Sequence, residues 1–371
     1  MRPVVWLGLL CGATVACLQP VDDHAPDAAP AAPVTQPSTD DEQPAQPQPV
    51  DAGIHRPDAG APDAGCCGQS TLLLFGGLLP NPNVGGGTGS NTTFAIDVGR
   101  GQLTEVQVAG TKPPPRSHHL SAWDDARKRM LIFGGLVDRE VWALEFNHAR
   151  PTWVHVAVHG FPPPAREFAC GAWDAASGRW YVGFGQGGPN HLLSDLWVFD
   201  ATTDTWTSLA SGGPTPRQVA AMAFDTATGT LVLSGGQDEH DQVLPDLWQF
   251  DPVQQVWSTL AATPSPGAIA WHQFVPGLSP LVVVGGVDGA HLRFPRVLAL
   301  AAQPPAAWLQ LEAAPNEVQG FLDPVGTLDG VAWVWSHDRL WSYRRGSGWT
   351  SRSLTGAPTW LEGYSAVGAK N

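Results

Sequence analysis

A pair of glycines closes a short hydrophobic run, and the arrangement returns about every fifty residues, a period that marks a repeat architecture. The runs are LLLFGG (72–77), LIFGG (131–135), VGFGQG (182–187), LVLSGG (231–236) and LVVVGG (281–286). From Gly134 the series continues at Gly185, Gly235 and Gly285, and a worn copy, VAWVWSHD (331–338), falls where a sixth belongs. A fixed period means one supersecondary unit copied in series. Each copy carries apolar surface that it cannot bury alone, so neighbouring copies must cover one another.

Two further signals keep step with the glycines. After each run comes a segment that ends on a tryptophan: VWALEFNHARPTW (141–153), DLWVFDATTDTW (195–206), DLWQFDPVQQVW (246–257), RVLALAAQPPAAW (296–308) and RLWSYRRGSGW (339–349). The first copy, TTFAIDVGRGQL (92–103), has the pattern without tryptophan. Before the runs lie PPPRSHHLSAW, PPPAREFACGAW, PTPRQVAAMAF and PSPGAIAWHQF. Each unit therefore reads as four short strands. The first strand ends in an Asp-x-x-x-Gly turn such as Asp174 to Gly178. The second ends on the glycine pair, the third is the LWVFD type, and the fourth starts at the second tryptophan. With 42 glycines, 35 prolines and only 15% charged residues, the composition suits tight turns between strands rather than long helices. Seventeen tryptophans give the units a repeated large side chain with which to pack.

These paired glycines and spaced tryptophans resemble the Kelch repeat, over about residues 70 to 368. The departures are Gln186 in the third glycine pair and Ser336-His337 in the sixth. The resemblance implies an all-β fold: a six-bladed Kelch-type β-propeller with four-stranded antiparallel blades. The expected blades are about 71–108 plus 357–368, 115–158, 165–209, 216–260, 266–311 and 317–353. The chain enters on a second strand, and the tail TGAPTWLEGYSAVGAK (355–370) reads as an orphan first strand. Residues 359–368 are expected to pair beside 71–76, closing the ring and removing its exposed edge.

The first 65 residues are of another kind. MRPVVWLGLLCGATVAC reads as an export signal (1–16), with Arg2 before an apolar core too short to span a bilayer. Its end, TVAC, resembles the lipobox of bacterial lipoproteins, where the cysteine is lipidated, although Thr14 stands where leucine is usual. That makes Cys17 the expected anchor. Residues 17–65 form a Pro/Ala/Asp-rich linker, in which residues 18–65 hold nine acids and one base, Arg56. So few apolar side chains cannot offset the entropy of ordering, and a disordered linker is expected. Its polyproline-like reach is on the order of 100 Å or more. Residues 66–371 are left for the propeller. The implied location is the cell envelope, with Leu18 after the cysteine favouring the outer membrane, and contact with the membrane through the lipid alone.

Strand direction places the fourth-to-first and second-to-third connections on one face, where the longer and more varied loops fall: 78–93, 186–194, 237–245 and 287–295. Loops over a rigid scaffold are where function usually sits. Arg116, Arg166 and Arg217 precede the inner strands of blades two to four, with Gly267 and Val318 offered as their counterparts in blades five and six. Either they rim the channel mouth and grip an anion, or they are repeat architecture that bonds carbonyls of the next blade. His191, His240 and His291 lie in three successive loops near Asp238, Glu239, Asp241 and Asp288. They are candidates for a ligand site, or solvated loop residues. His118 and His119 read as packed residues of the repeat.

The expectation is a monomeric, ring-shaped binding module for a protein or an acidic carbohydrate, with no cofactor and no metal. A net charge of -14 disfavours nucleic acid. The alternatives are a propeller enzyme on an acidic sugar, of the sialate epimerase or mutarotase kind, and a structural envelope scaffold. No compact catalytic constellation stands out. Glu167 and Glu317 lie at a suitable height for acid–base work, but neither is distinguished. Cys66, Cys67 and Cys170 lack zinc spacing.

Overall fold

The computed structural model describes residues 14–17, 71–80, 87–135, 138–209, 212–275, 278–292, 296–301, 306–315, 318, 324–328, 331–336 and 338–356. Six four-stranded antiparallel units follow one another, as the repeats predict. Blade 1 is Thr14–Cys17, Thr71–Phe75, Thr93–Asp97 and Gln102–Glu105. Blade 2 runs through His119–Asp124, Arg129–Gly134, Trp142–Glu145 and Thr152–His155, with Ala109–Gly110 added outside. Blade 3 is Cys170–Asp174, Arg179–Gly183, Leu196–Asp200 and Thr205–Ser208. Blade 4 is Ala221–Asp225, Thr230–Ser234, Leu247–Asp251 and Val256–Thr259. Blade 5 is Gln273–Val275, Leu281–Val284, Leu298–Ala301 and Ala307–Gln310. Blade 6 is Pro324–Leu328, Val331–Ser336, Arg339–Arg344 and Gly348–Ser353.

The core is divided among the blade interfaces. Each of six apolar clusters draws on two consecutive blades, and the series includes blade 6 against blade 1, where Val331, Trp333 and Leu340 meet Leu72, Leu74 and Ile96. The second tryptophan of blades 2, 3 and 4 serves this packing. Trp153 of blade 2 lies 4.6 Å from Phe75 of blade 1, and Trp206 of blade 3 lies 5.1 Å from Phe133 of blade 2. Trp257 of blade 4 lies 6.0 Å from Phe184 of blade 3. A large flat ring fills the outward-widening wedge between twisted sheets, where a smaller side chain would leave a void.

The glycine pair has a different task. Gly236 donates its N–H to the carbonyl of Ile269 in the next blade at 2.9 Å. A Cβ on Gly235, whose φ is +57°, would lie 1.9 Å from that same carbonyl oxygen. The second strand therefore stops where the neighbouring backbone crosses it, and only glycine leaves the room.

Register moves one residue of the repeat. Phe133 faces Leu120, Gly183 faces Cys170, Ser234 faces Ala221 and Val284 faces Gln273. Gly134, Phe184, Gly235 and Gly285 are thus equivalent. The third pair is Phe184-Gly185, not Gly185-Gln186, and the departing residue is a buried phenylalanine held at φ +59°.

Blade 1 differs from expectation at its inner edge. Thr14–Cys17 pairs antiparallel with Thr71–Phe75, Thr14 facing Phe75 and Cys17 facing Leu72. The place expected for residues 359–368 is therefore filled by the end of the leader-like segment. The closing segment 357–368 lies outside the described residues. So do most of the leader and linker, Cys66, Cys67 and Glu317.

Candidate functional site

The three arginines are the most completely used side chains of the fold. Each has a fully buried guanidinium group. Arg166 donates from Nη1 to the Phe184 carbonyl at 3.0 Å and to Asp195 Oδ1 at 2.8 Å, from Nη2 to Asp195 Oδ2 at 2.7 Å, and from Nε to the Pro164 carbonyl at 3.2 Å. Arg217 repeats this with Gly235, Asp246 and Thr215. Arg116 repeats it with Gly134, Asp138 and Pro114. The fork of the guanidinium matches the carboxylate bidentately. Burial acts to raise the Asp195 and Asp246 carboxyls, but the hydrogen bonds from Arg166 and Arg217 outweigh it and hold both below the usual carboxylate range.

Each arginine ties two blades together. Its side chain pins its own incoming segment to its own second and third strands. Its backbone carbonyl accepts from the glycine of the preceding blade: Gly77 to Arg116, Gly135 to Arg166 and Gly185 to Arg217, at 3.0, 2.8 and 2.8 Å. The anion-gripping rim expected of Arg116, Arg166 and Arg217 is therefore not what these buried side chains form, because every guanidinium nitrogen already donates to a protein acceptor. The carbonyls that the side chains bond also belong to the same blade, not the next. The equivalent residue in blade 5 is Ile269, whose carbonyl accepts from Gly236, and not Gly267. Val318 is buried in the core between blades 5 and 6.

The loop histidines are exposed and occupy three different positions of one recurring turn. Gly187, Asp238 and Asp288 are equivalent, since each donates its N–H to the residue four further on. His240 is then the third residue of its turn, His291 the fourth and His191 the fifth. The nearby acids are partly structural: Asp238 Oδ1 accepts from His240 N and Gln242 N, and Asp288 Oδ1 from Ala290 N and Leu292 N. Among the described residues, no three histidines, cysteines or acids gather as a metal-binding group. Cys170 is buried, and burial pushes its thiol up to about 12.

Two residues past each arginine, and past Ile269 in blade 5, lies a feature that residue type alone did not announce. His118, Phe168, Val219 and Trp271 all have left-handed backbones, with φ of 52°, 53°, 51° and 60°. This conformation is unfavourable for bulky residues and most of all for β-branched valine. It is held by bonds that run from blade to blade: Val219 N donates to Phe168 O and Trp271 N to Val219 O, both at 3.0 Å. The side chains converge. His118 and Phe168 have ring centroids 4.2 Å apart, and Phe168 and Trp271 5.6 Å apart, although they come from blades 2, 3 and 5. Val219 packs with Phe168 and Trp271 in one small apolar cluster. Glu167 Oε2 lies 3.7 Å from His118 Nδ1. The centre of the loop face is thus an aromatic and apolar patch with a His–Glu pair at its margin. The clue available in the sequence was the fixed offset from the arginines.

The comparisons with known proteins agree with this architecture. The sequence profile of the KLHDC2/KLHL20/DRC7 Kelch-repeats domain matches residues 64–286, more than half of the chain. Adagio-like protein 3 of Oryza sativa subsp. japonica is 27% identical over 237 residues, covering 59% of this chain and 36% of that protein. Kelch domain-containing protein 3 of Bos taurus is 28% identical over 213 residues, covering 52% of this chain and 51% of that protein. Dynein regulatory complex subunit 7 of Chlamydomonas reinhardtii is 28% identical over 169 residues, covering 45% and 10%. The matched region spans about half or less of these curated relatives. Glycine pairs, interface tryptophans, six inter-blade cores and the matching profile together make this chain a member of the Kelch-repeat domain family.

Proposed function

We propose that the protein is a tethered binding module that docks a protein segment at the channel mouth through a large apolar side chain. The observation that carries this reading is the convergence of Phe168 and Trp271, from non-adjacent blades, on one patch with His118 and Val219. Strained backbones gather where geometry serves a purpose other than stability, and aromatic side chains at the centre of a rigid face are the usual anchors of protein contacts. One relative is named as a subunit of a regulatory complex, a setting of protein–protein contact. An acidic carbohydrate is the weaker candidate, because the guanidinium groups of Arg116, Arg166 and Arg217 are buried and paired with Asp138, Asp195 and Asp246. The tether is the Cys17 lipid and the acidic linker that follows it, which would set the propeller in the cell envelope at the outer membrane.

Thermal unfolding of the full chain with short peptides and with acidic sugars tests the reading. A peptide carrying an aromatic or long aliphatic side chain should raise the Tm in proportion to saturation. Trp271→Ala should abolish that rise. An acidic sugar that stabilises the parent and the Trp271→Ala variant alike would overturn the proposal.

A further inference from the structure

Two positions in the wedge between blades 4 and 5 carry smaller side chains than their equivalents elsewhere in the ring. Phe75, Phe133 and Ser234 each stand two residues before the glycine whose N–H crosses to the next blade: Gly77, Gly135 and Gly236. Phe75 and Phe133 meet a tryptophan of the following blade, Trp153 and Trp206. Ser234 is buried in the same way but offers Trp308 no ring. The outer wall of the wedge repeats the change. Val106, Val156 and Leu260 are equivalent, since each donates its N–H to the start of the third strand, at Thr93, Val141 and Leu247. Two residues further on, Val108 and Val158 pack against the cores between blades 1 and 2 and between blades 2 and 3. Ala262 holds that place against the core between blades 4 and 5.

A cleft of about 280 Å³ opens at this wedge, and Leu247, Leu260, Ala262 and Trp308 supply its apolar lining. Leu247 is the residue that Ser234 faces across the strand pair. The cleft is large enough for a ring, since an apolar cavity of about 150 Å³ takes up benzene. It also carries no unspent charge. Asp246 is the one charged residue in the lining, and Arg217 already pairs with it at 2.6 Å. Thr259 adds a hydroxyl-bearing residue to the wall. None of His118, Phe168, Val219 or Trp271 lines it, so the cleft is separate from the patch at the channel mouth.

We propose that this cleft is a second binding site, which takes an uncharged small molecule bearing one phenyl-sized ring. The ring enters beside Trp308 and supplies the aromatic partner that Phe75 gives Trp153 and Phe133 gives Trp206. Aromatic pairs gain from edge and tilted contact beyond the area they bury, so the face of Trp308 favours a ring over an aliphatic chain of equal volume. The lack of an unpaired charge among the lining side chains selects a neutral ligand, because a charged one would lose its hydration without a counter-ion. The site does not depend on docking at the mouth.

Fluorine NMR of para-fluorobenzyl alcohol titrated with the full chain tests the site. The probe line should broaden and saturate with the parent protein. Ser234→Phe restores the missing ring and Ala262→Leu narrows the wall, and each should raise the Kd about tenfold or more. Ala262→Leu keeps the test decisive where the larger change at the buried Ser234 prevents folding. Trp271→Ala, which alters only the mouth, should leave the Kd unchanged. Three results would overturn the proposal: no saturable broadening with the parent, a Kd unaltered by Ala262→Leu, or a Kd raised by Trp271→Ala, which would put the probe at the mouth instead.

Discussion

Blades 2 to 4 and blade 5 solve the same problem differently. In the first three, a buried arginine and an aspartate lock the incoming segment to the second and third strands. In blade 5 both members are gone together. Ile269 stands in the arginine's place and packs into the core between blades 4 and 5. Register sets Arg296 where Asp246 stands in blade 4, because Leu233 faces Trp248 as Val283 faces Leu298. The carbonyl of Ile269 still accepts from Gly236, as the arginine carbonyls do from their glycines. The backbone contact between blades is therefore the invariant part of the joint. The ion pair is an addition, and a buried ion pair gives up much of its Coulomb energy to desolvation, so an apolar pin can take its place.

The largest expected effect breaks the invariant part. Gly235→Ala sets a methyl against the Ile269 carbonyl and should cost about 4 kcal/mol or more, or prevent folding. Gly229→Ala is the control. It has a positive φ of 71° but no atom within 4 Å, so it should cost only about 1 kcal/mol in chemical denaturation. Equal costs would mean that the crossing carbonyl is not the constraint.

Next comes the pin. Arg166→Leu leaves the partly buried Asp195 carboxylate with the Trp197 indole N–H but without its counter-charge, and should cost about 3 kcal/mol. Restoring an apolar partner with Asp195→Leu should recover part of that loss, which moves blade 3 toward the solution used by blade 5.

A smaller effect follows pH. Burial first, then the Arg116 and His118 charges, lowers His119 to about 3; burial alone does the same to His272. Neither ring nitrogen of His272 meets a partner among the described residues. The unfolded chain binds these protons from about pH 6.5 downward and the folded chain does not, so stability is full above 6.5 and falls as pH falls toward 3. Between pH 7 and 5 the loss should be about 2 kcal/mol for each histidine. His272→Leu should remove one such share from the slope of stability against pH. At still lower pH, Asp195 and Asp246 lose their contribution as the pH drops through the ordinary carboxylate range to their depressed values. The smallest effect on stability belongs to the mouth: Trp271→Ala should change ligand binding far more than the Tm.

The fold was legible because its signals are local and repeated. A glycine pair, two tryptophans and an Asp-x-x-x-Gly turn recur in register, and six units follow from counting them. The site was less so. Arg166 and Asp195 stand 29 residues apart, and each occurs in a quoted motif, but only the three-dimensional crossing of strands shows that they meet. Without that partner the arginine reads as an open ligand for anions. Phe184 was missed because Gly185-Gln186-Gly187 offers an alternative glycine frame one residue late. The mouth residues His118, Phe168, Val219 and Trp271 share no residue type. What they share is a backbone conformation, which composition does not record. The three loop histidines made the opposite error, sharing a residue type and no position.

A double-mutant cycle over Arg166→Leu and Asp195→Leu, read by urea unfolding of the full chain, tests the central claim most directly. If the arginines are blade pins, each single change destabilises and the double change costs less than their sum, with a coupling of about 2 kcal/mol or more. Additive single effects, together with an anion that stabilises the parent but not Arg166→Leu, would contradict it and return the arginines to the role of a binding rim.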